Sequence, residues 1–258
     1  MNKKFNIKSY DINLKKNEIK FALDCLKKNE IANGSYKKKF ENSIKKITKS
    51  KYAVACANGT AALFLSLKLS GVQDNDEVIV PAFSFIASIN AIKYNNANPV
   101  FMDIDEFHNI DENKTIEFIE NYTYRANNKT YNKKTKKKIS AIIVVHMWGR
   151  TAKFSKLYDV AKKYNINIIE DAAEALGSKY IKGKFKNKFA GTIGKFGCIS
   201  FNANKIITSG GGGMILTSSK KDQIRINHLI TQAKKDKIYF VHDEIGYNLS
   251  LSNLHCAI

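Results

Sequence analysis

The sequence is poor in several residue types, and each shortage excludes a class of protein. Two prolines and 14 glycines among 258 residues are too few for a collagen-like or low-complexity chain. No apolar run approaches the roughly 18 residues that span a bilayer, and the basic N-terminus lacks the apolar segment of a secretory signal. We therefore expect a cytoplasmic protein that makes no membrane contact.

Cysteine is also scarce and carries no pattern. The four cysteines are far apart and show neither the paired spacing of a zinc site nor that of a disulfide framework. We interpret them as small apolar residues in a reducing compartment, and no metal site is expected. They are Cys25, Cys56, Cys198 and Cys256.

Arginine is rare although the chain is strongly basic. The formal net charge is +20, but only three of the 43 basic residues are arginines (Arg125, Arg150 and Arg225) and all the others are lysines. Arginine is the usual residue for bidentate contacts to bases and phosphates, so specific nucleic-acid recognition is not expected. The lysines are spread along the chain and favour general attraction to anionic substrates.

Short apolar runs alternate with amphipathic stretches, which predicts an α/β fold with a parallel sheet covered by helices. Several strands are apolar throughout, as expected where helices cover both faces of a sheet. The predicted strands are 52–56, 77–80, 99–104, 139–146, 166–170, 197–201 and 213–217, and the predicted helices lie near 17–28, 36–48, 59–70, 85–95, 115–121, 154–164 and 220–234.

Two segments depart from this pattern. Residues 120–138 are polar and cationic, which predicts a solvated surface loop, with a binding arm as the alternative. The last residues resemble the first turn of a helix that begins after Ser252, so a missing C-terminal part is predicted. In that case Leu254, Ala257 and Ile258 would be exposed.

Three motifs carry candidate chemistry. Gly59 and Thr60 follow a strand and open a helix, which indicates either an anion site or an ordinary helix cap. Asp171 ends another strand, where it is either a capping residue or a buried carboxylate that needs a cationic partner. Lys205 precedes four glycines, and a lysine can condense with a carbonyl group, although a solvated lysine is the alternative.

Together these motifs provide the parts that hold pyridoxal phosphate. The helix start would bind the phosphate, the carboxylate would keep the pyridine nitrogen protonated, and the lysine would bind the cofactor covalently. The sequence therefore predicts a pyridoxal-phosphate enzyme.

The motifs also resemble a known family. In order along the chain, ANGTAAL, DEVIVPAFSFIASINAI, NPVFMDID, VVHMWG, IIEDAAEALGSKY, GKFGCISFNANKIITSGGGGM and GYN are similar to the DegT/DnrJ/EryC1 family of pyridoxal-phosphate-dependent nucleotide-sugar aminotransferases. This resemblance implies the aspartate-aminotransferase fold (fold type I), with a mostly parallel seven-stranded sheet in the large domain. It implies an N-terminal segment and helix over 1–35, the cofactor-binding large domain over 36–250, and over 251–258 the start of a helix leading to an absent C-terminal domain.

The resemblance also implies residue roles. Lys205 would be the covalent and proton-transferring lysine, Asp171 the partner of the pyridine nitrogen, and Glu174 the contact of the phenolic oxygen. Phe85 would stack on the ring. His146 is expected to be structural. The full set of implied cofactor-binding residues is Gly59, Thr60, Phe85, Asp171, Glu174, Ser200, Asn202, Lys205 and Asn248.

The implied substrate is a nucleotide-linked 4-keto-6-deoxyhexose, with or without a 2-acetamido group, and L-glutamate is the implied amino donor. The motifs are most similar to the branch that makes 4-amino-4,6-dideoxy sugars of the legionaminic or bacillosamine type, for surface polysaccharide such as lipopolysaccharide. A homodimer is implied as well. Leu249 and Ser250 depart from the aromatic and basic residues usual after GYN. A dehydratase of the same fold and a catalytically inactive truncated homologue are the alternatives.

Overall fold

The computed structural model describes residues 11–236 and 238–258. The helices are α1 (Lys16–Lys27), α2 (Ser35–Thr48), α3 (Gly59–Leu69), α4 (Ile86–Tyr94), α5 (Glu112–Tyr122), α6 (Ser155–Lys163), α7 (Lys220–Ile230) and α8 (Asn253–Ala257). The strands are β1 (Tyr52–Cys56), β2 (Glu77–Pro81), β3 (Asn98–Met102), β4 (Thr123–Ala126), β5 (Lys129–Asn132), β6 (Lys138–Val145), β7 (Asn167–Asp171), β8 (Phe196–Ser200), β9 (Gly213–Thr217), β10 (Lys234–Asp236) and β11 (Val241–His242).

The central sheet has the strand order β1-β9-β8-β7-β6-β2-β3. Strands β3, β2, β6, β7 and β8 run parallel, whereas β9 is antiparallel to both of its neighbours, β8 and β1. The predicted mostly parallel sheet is therefore confirmed; seven strands lie along this path, and β4 and β5 bring the sheet to nine strands. Because β1, β7 and β8 point the same way, their carboxyl ends meet at one edge, which is where ligands bind in open α/β sheets.

Both faces of the sheet are covered, and β6 shows why. Ala141, Ile143 and Val145 pack into a core with α3, α4 and α7, whereas Ile142 and Val144 pack into a second core with α5 and α6. Successive side chains of a strand point to opposite faces, so a strand between two apolar layers has to be apolar at every position. Among residues 11–236 and 238–258, no helix is both long and apolar enough to cross a membrane.

The predicted solvated loop at 120–138 is wrong, because most of this segment is a β-hairpin. Strands β4 and β5 pair through a turn in which Asn127 and Asn128 both have positive φ, and β5 pairs with the first two residues of β6, Lys138 and Ile139. Both turn residues are asparagines, which tolerate the left-handed conformation that this turn requires. Thr130 is buried, and the Asn132 side chain donates to the buried Glu77 carboxylate at 2.8 Å.

The predicted helix over 220–234 is too long. α7 ends at Ile230, and Lys234 instead begins β10, which pairs with β11 in a small two-stranded sheet. Gln232 and Ala233 adopt positive φ, and this backbone conformation ends the helix.

The expected exposure of the C-terminal residues is also wrong. α8 packs on α1 and α2, Ala257 is buried, and Leu254 and Ile258 are half-buried. The buried Asn253 holds α8 in place: its Oδ1 accepts from Tyr36 N at 2.9 Å, and its Nδ2 donates to Glu30 O at 2.8 Å. These hydrogen bonds satisfy the backbone N–H of Tyr36 in α2 and the backbone carbonyl of Glu30 before it. They fix the position of α8 against α2.

Candidate functional site

The candidate residues converge at the carboxyl edge of the sheet. Asp171 is the last residue of β7, Ser200 is the last of β8, and Gly59 follows β1 after a short turn. Since β9 enters the sheet at this edge, the glycine-rich turn before it also lies here. Three motifs that are far apart in the sequence therefore share one site.

Asp171 is a buried carboxylate with only neutral partners. Its side chain accepts from Ser88 Oγ at 2.7 Å and from Ala173 N at 3.2 Å, and it forms no ion pair with any described residue. Burial raises the pKa of Asp171 above its ordinary value of 3.8, while the Ser88 hydrogen bond acts in the opposite direction. A buried anion of this kind is stabilised by a cation, and a protonated pyridine nitrogen fits that need.

Lys205 faces a carboxylate across the site. Its Nζ donates to Glu174 Oε1 at 3.1 Å, and the other oxygen, Oε2, accepts from Trp148 N at 3.0 Å. The Lys205 side chain is only 12% exposed, so its amine is largely shielded from solvent. The Phe85 ring centroid lies 5.8 Å from the same Nζ, and this ring is 70% exposed, which leaves an aromatic face open for stacking.

The start of α3 supplies the third part of the site. Asn58 caps the helix, with its Oδ1 accepting from Ala61 N at 2.8 Å, and the anion site at this helix start stays a prediction beside the cap. A Cβ on Gly59 would lie 2.9 Å from the Cβ of Ser200, and one on Gly213 would lie 2.4 Å from backbone atoms of Asn58. A larger residue at either glycine position would clash with these neighbours. The two glycines therefore allow the positively polarised N-terminus of α3 to lie beside the Ser200 hydroxyl.

The remaining predicted site residues take different positions. Asn202 is exposed, and its carbonyl accepts from Lys205 N at 3.0 Å, so it forms the turn that presents the lysine. Asn248 is exposed and bridges to Thr231 through its backbone. Its role in cofactor binding, like that of the other site residues, stays a prediction.

The loop after Asn248 contacts the turn between β1 and α3, at the predicted phosphate-binding end of the candidate site. Leu249 O accepts from Ala57 N at 2.8 Å, and the Ser250 hydroxyl accepts from Lys37 Nζ at 2.7 Å. The basic residue expected at position 250 is absent, but α2 brings a lysine to the same place. Nothing in the sequence signalled this contact, because Lys37 is one of many lysines.

Ser88 is a candidate site residue that the sequence did not indicate. It lies in the first turn of α4, which begins after β2, and its side chain is fully buried. Its contact with Asp171 spans 83 positions and depends on β2 and β7 both flanking β6. The sequence places Ser88 close to Phe85 but does not indicate which carboxylate it meets.

Replacing Ser88 by alanine is expected to raise the pKa of Asp171 further, because the carboxylate loses a hydrogen bond that favours its charged form. A carboxyl group with a raised folded-state pKa lowers the free energy of unfolding as the pH rises above the unfolded value. The stability gap between Ser88→Ala and wild type should therefore widen from about pH 4 to about pH 7, toward roughly 1.5–3 kcal/mol for a bond to a charged group. Urea unfolding of the cofactor-free chain at several pH values measures this gap.

The control for this prediction is Ser66→Ala, which removes a buried serine hydroxyl that is bonded to Cys198 and not to Asp171. An equal pH dependence of stability in the two variants would contradict the prediction.

Glu170, the residue before Asp171, holds the surrounding backbone. It is fully buried and accepts from Gly191 N at 2.9 Å, from Ile193 N and Gly194 N at 2.6 Å each, and shares a 2.9 Å hydrogen bond with His146 Nε2. His146 Nδ1 accepts from Ala152 N at 3.1 Å, so Nε2 is the nitrogen that carries the proton. This pair has a structural role, as expected for His146.

Glu170→Ala is expected to lower the free energy of unfolding by about 3–5 kcal/mol, because several buried donors lose their acceptor at once. Glu170→Gln keeps an acceptor oxygen and should lose less. Chemical denaturation of both variants, with the exposed Glu120→Ala as control, measures the difference. A loss below about 1 kcal/mol for Glu170→Ala would contradict the prediction, because the hydrogen bonds to Glu170 would then contribute little to stability.

The sequence matches the model of the DegT/DnrJ/EryC1/StrS aminotransferase family over residues 13–258. The chain belongs to this family. It is 37% identical to GDP-perosamine synthase of Escherichia coli O157:H7, in a match that covers 96% of this chain and 63% of the relative. It is 33% identical to UDP-N-acetyl-3-dehydro-alpha-D-glucosamine 3-aminotransferase of Acidithiobacillus ferrooxidans, over 80% of this chain and 50% of the relative.

Solved structures show the same fold. Spr1654 of Streptococcus pneumoniae in its PLP-form has a TM-score of 0.83 at 24% identity, covering 98% of this chain and 65% of that one. The predicted aspartate-aminotransferase fold is thus confirmed. DegT/DnrJ/EryC1/StrS aminotransferases depend on pyridoxal phosphate, so the predicted cofactor is confirmed as well. The chain spans 63% of the GDP-perosamine synthase that it matches.

The residues present fit pyridoxal phosphate. Asp171 is a buried anion without a cation among the described residues, Lys205 is a nearly buried amine, and Phe85 offers an open ring face. The N-terminus of α3, which begins at Gly59, lies beside the Ser200 side chain, and a helix N-terminus favours an anion. These features match the four chemical groups of the cofactor, namely the ring nitrogen, the carbonyl, the ring face and the phosphate.

Proposed function

We propose that this chain is the cofactor-binding part of an aminotransferase that acts on a nucleotide-linked keto sugar. The observation that carries the proposal is the placement of Lys205, paired with Glu174, at the same sheet edge as the buried Asp171. Glu174, which accepts from Lys205 Nζ at 3.1 Å, follows Asp171 by three residues after the end of β7, which supports the action of both groups on one bound molecule.

Pyridoxal phosphate, when bound, supplies an electron sink for bond breaking next to the amino group. The residues of this chain then divide the remaining work. Asp171 holds the proton on the ring nitrogen, and Ser88 orients its carboxylate through the 2.7 Å hydrogen bond. Lys205 Nζ takes up and returns the proton that moves during amino transfer, and Glu174 keeps this amine directed into the site.

The substrate that we propose is a nucleotide-linked 4-keto-6-deoxyhexose, with or without a 2-acetamido group, and L-glutamate is the proposed donor. The match to a GDP-perosamine synthase supports the sugar class. The match to an aminotransferase of a UDP-linked sugar leaves the nucleotide open. The net charge of +20 favours attraction of a diphosphate-bearing substrate. A homodimer, a cytoplasmic location and a role in surface polysaccharide such as lipopolysaccharide belong to the same proposal.

The test separates the two half-reactions. With pyridoxal phosphate and L-glutamate but no sugar, one equivalent of 2-oxoglutarate per chain is expected. Adding GDP- or UDP-linked 4-keto-6-deoxyhexose should then give the amino sugar and allow further turnover. Consumption of the keto sugar without glutamate would support a dehydratase instead. Cofactor binding without 2-oxoglutarate formation would support an inactive homologue.

A further inference from the structure

A second concave site lies at the opposite end of the strands from the candidate active site. It is a cavity of about 320 Å³ where β1 and β8 begin and β9 ends, and Lys51, Gly194 and Thr217 mark these three points. Five-residue strands at about 3.3 Å per residue place it on the order of 15 Å from the site around Asp171. Its volume is at the lower end of the roughly 300–1,000 Å³ usual for small-molecule sites.

The walls of this cavity are cationic. Two pairs of lysines line it, Lys49 and Lys51 before β1, and Lys186 and Lys188 in the loop that precedes β8. The lining includes no aspartate or glutamate, and none of the four lysines forms an ion pair with any residue in 11–236 or 238–258. Four like charges around one cavity repel one another, and a bound anion relieves that repulsion.

One feature opposes anion binding, but it is the weaker one. α2 ends at Thr48, so its carbonyl end adds about half a negative charge to this region. Lys49 follows directly in the left-handed conformation, with φ of 57°, so the residue that caps this helix end carries a positive charge itself. Four positive charges against about half a negative charge leave the lining net positive, which favours an anion.

The rest of the lining restricts the kind of anion. The side chains of Ser50 and Ser218 offer hydroxyl groups, whereas the Thr192 hydroxyl donates to Phe189 O at 2.7 Å. The half-buried Phe189 offers the edge or face of a ring. Hydroxyl and ammonium donors suit phosphate oxygens, whereas a single aromatic ring suits a small organic group. We propose that this cavity binds a phosphate-bearing small molecule at a site separate from the candidate active site.

The backbone of the cavity gives a direct reporter of binding. Gly191 and Gly194 line it, and their N–H groups donate to Glu170 at 2.9 and 2.6 Å. Glu170 is fully buried, so these two amides are held in single environments. Their NMR signals should therefore shift when a ligand enters, while those of Gly59 and Thr60 report on the other site.

The experiment titrates inorganic pyrophosphate into the cofactor-free chain, followed by calorimetry and by these amide signals. We expect saturable shifts at Gly191 and Gly194, and at least about tenfold weaker binding when Lys186 and Lys188 are both changed to alanine. The matched control changes Lys162 and Lys163, two exposed lysines on α6 outside the cavity, and should alter the affinity less than about twofold.

Three results would overturn the proposal. The first is shifts confined to Gly59 and Thr60, which would place pyrophosphate at the α3 site alone. The second is an equal loss of affinity in the two double variants, which would indicate general attraction to a basic surface. The third is the absence of saturation at low ionic strength, where attraction of an anion to lysines is strongest.

Discussion

Lys205→Ala is expected to abolish transamination while the chain remains folded. The lysine is both the covalent attachment point and the group that moves the proton, and the structure places no second amine against Glu174 among the described residues. Loss of one acid–base group alone costs about 10²–10⁴-fold in rate, and loss of the attachment adds to this.

The measurement of Lys205→Ala has two parts besides turnover. After borohydride reduction and denaturation, wild type should retain the cofactor and the variant should not. The urea midpoint should change little, because the Lys205 side chain contacts mainly Glu174 and the Phe85 ring at the sheet edge. Lys182→Ala, at an exposed lysine, is the control for charge removal. If Lys205→Ala kept more than about a tenth of wild-type turnover, Lys205 would not be the residue that attaches the cofactor and moves the proton.

Asp171→Asn is expected to reduce turnover by on the order of 10²–10³-fold, the usual loss when a preorganised electrostatic partner is removed. Without the carboxylate, the ring nitrogen is no longer held protonated and the ring accepts electrons poorly. Unchanged turnover would show that Asp171 is not the nitrogen partner.

Folding should respond to Asp171→Asn in the opposite way. The raised pKa of Asp171 means that the folded chain binds its proton more tightly than the unfolded chain. The free energy of unfolding therefore falls as the pH rises above 3.8 through the raised value, and the asparagine variant lacks this contribution. At neutral pH the cofactor-free variant should be at least as stable as wild type. Asp74→Asn, at an exposed aspartate, is expected to leave the pH profile unchanged.

Much of the central fold could be predicted from the sequence. β6 and β7 are short apolar runs between polar turns, and only a strand covered on both faces explains such runs beside amphipathic helices. The sequence also predicts Asp171 and Lys205 as site residues, since a carboxylate at the end of an apolar strand needs a cationic partner and a lysine before four glycines has an unusual context for a solvated residue. These inferences require only local pattern and the direction of parallel strands.

The errors have a common physical cause. Residues 123–132 are polar because this hairpin pairs only with the first residues of β6 and leaves most of its side chains exposed, so it has no apolar run. Ala257 was expected to be exposed because nothing nearby in the sequence covers it, yet α1 and α2, more than 200 residues earlier, form its packing surface. Burial that arises from distant partners leaves no local signal.

By itself, the sequence determined the family, the sheet and the chemical groups at its carboxyl edge, because these depend on strand periodicity and on motifs read in order. Only the tertiary structure decided how the groups are paired. Ser88 reaches Asp171 across 83 positions, and Lys205 reaches Glu174 across 31. Such contacts follow from strand order and helix packing, since two groups interact by their separation in space and not by their separation along the chain.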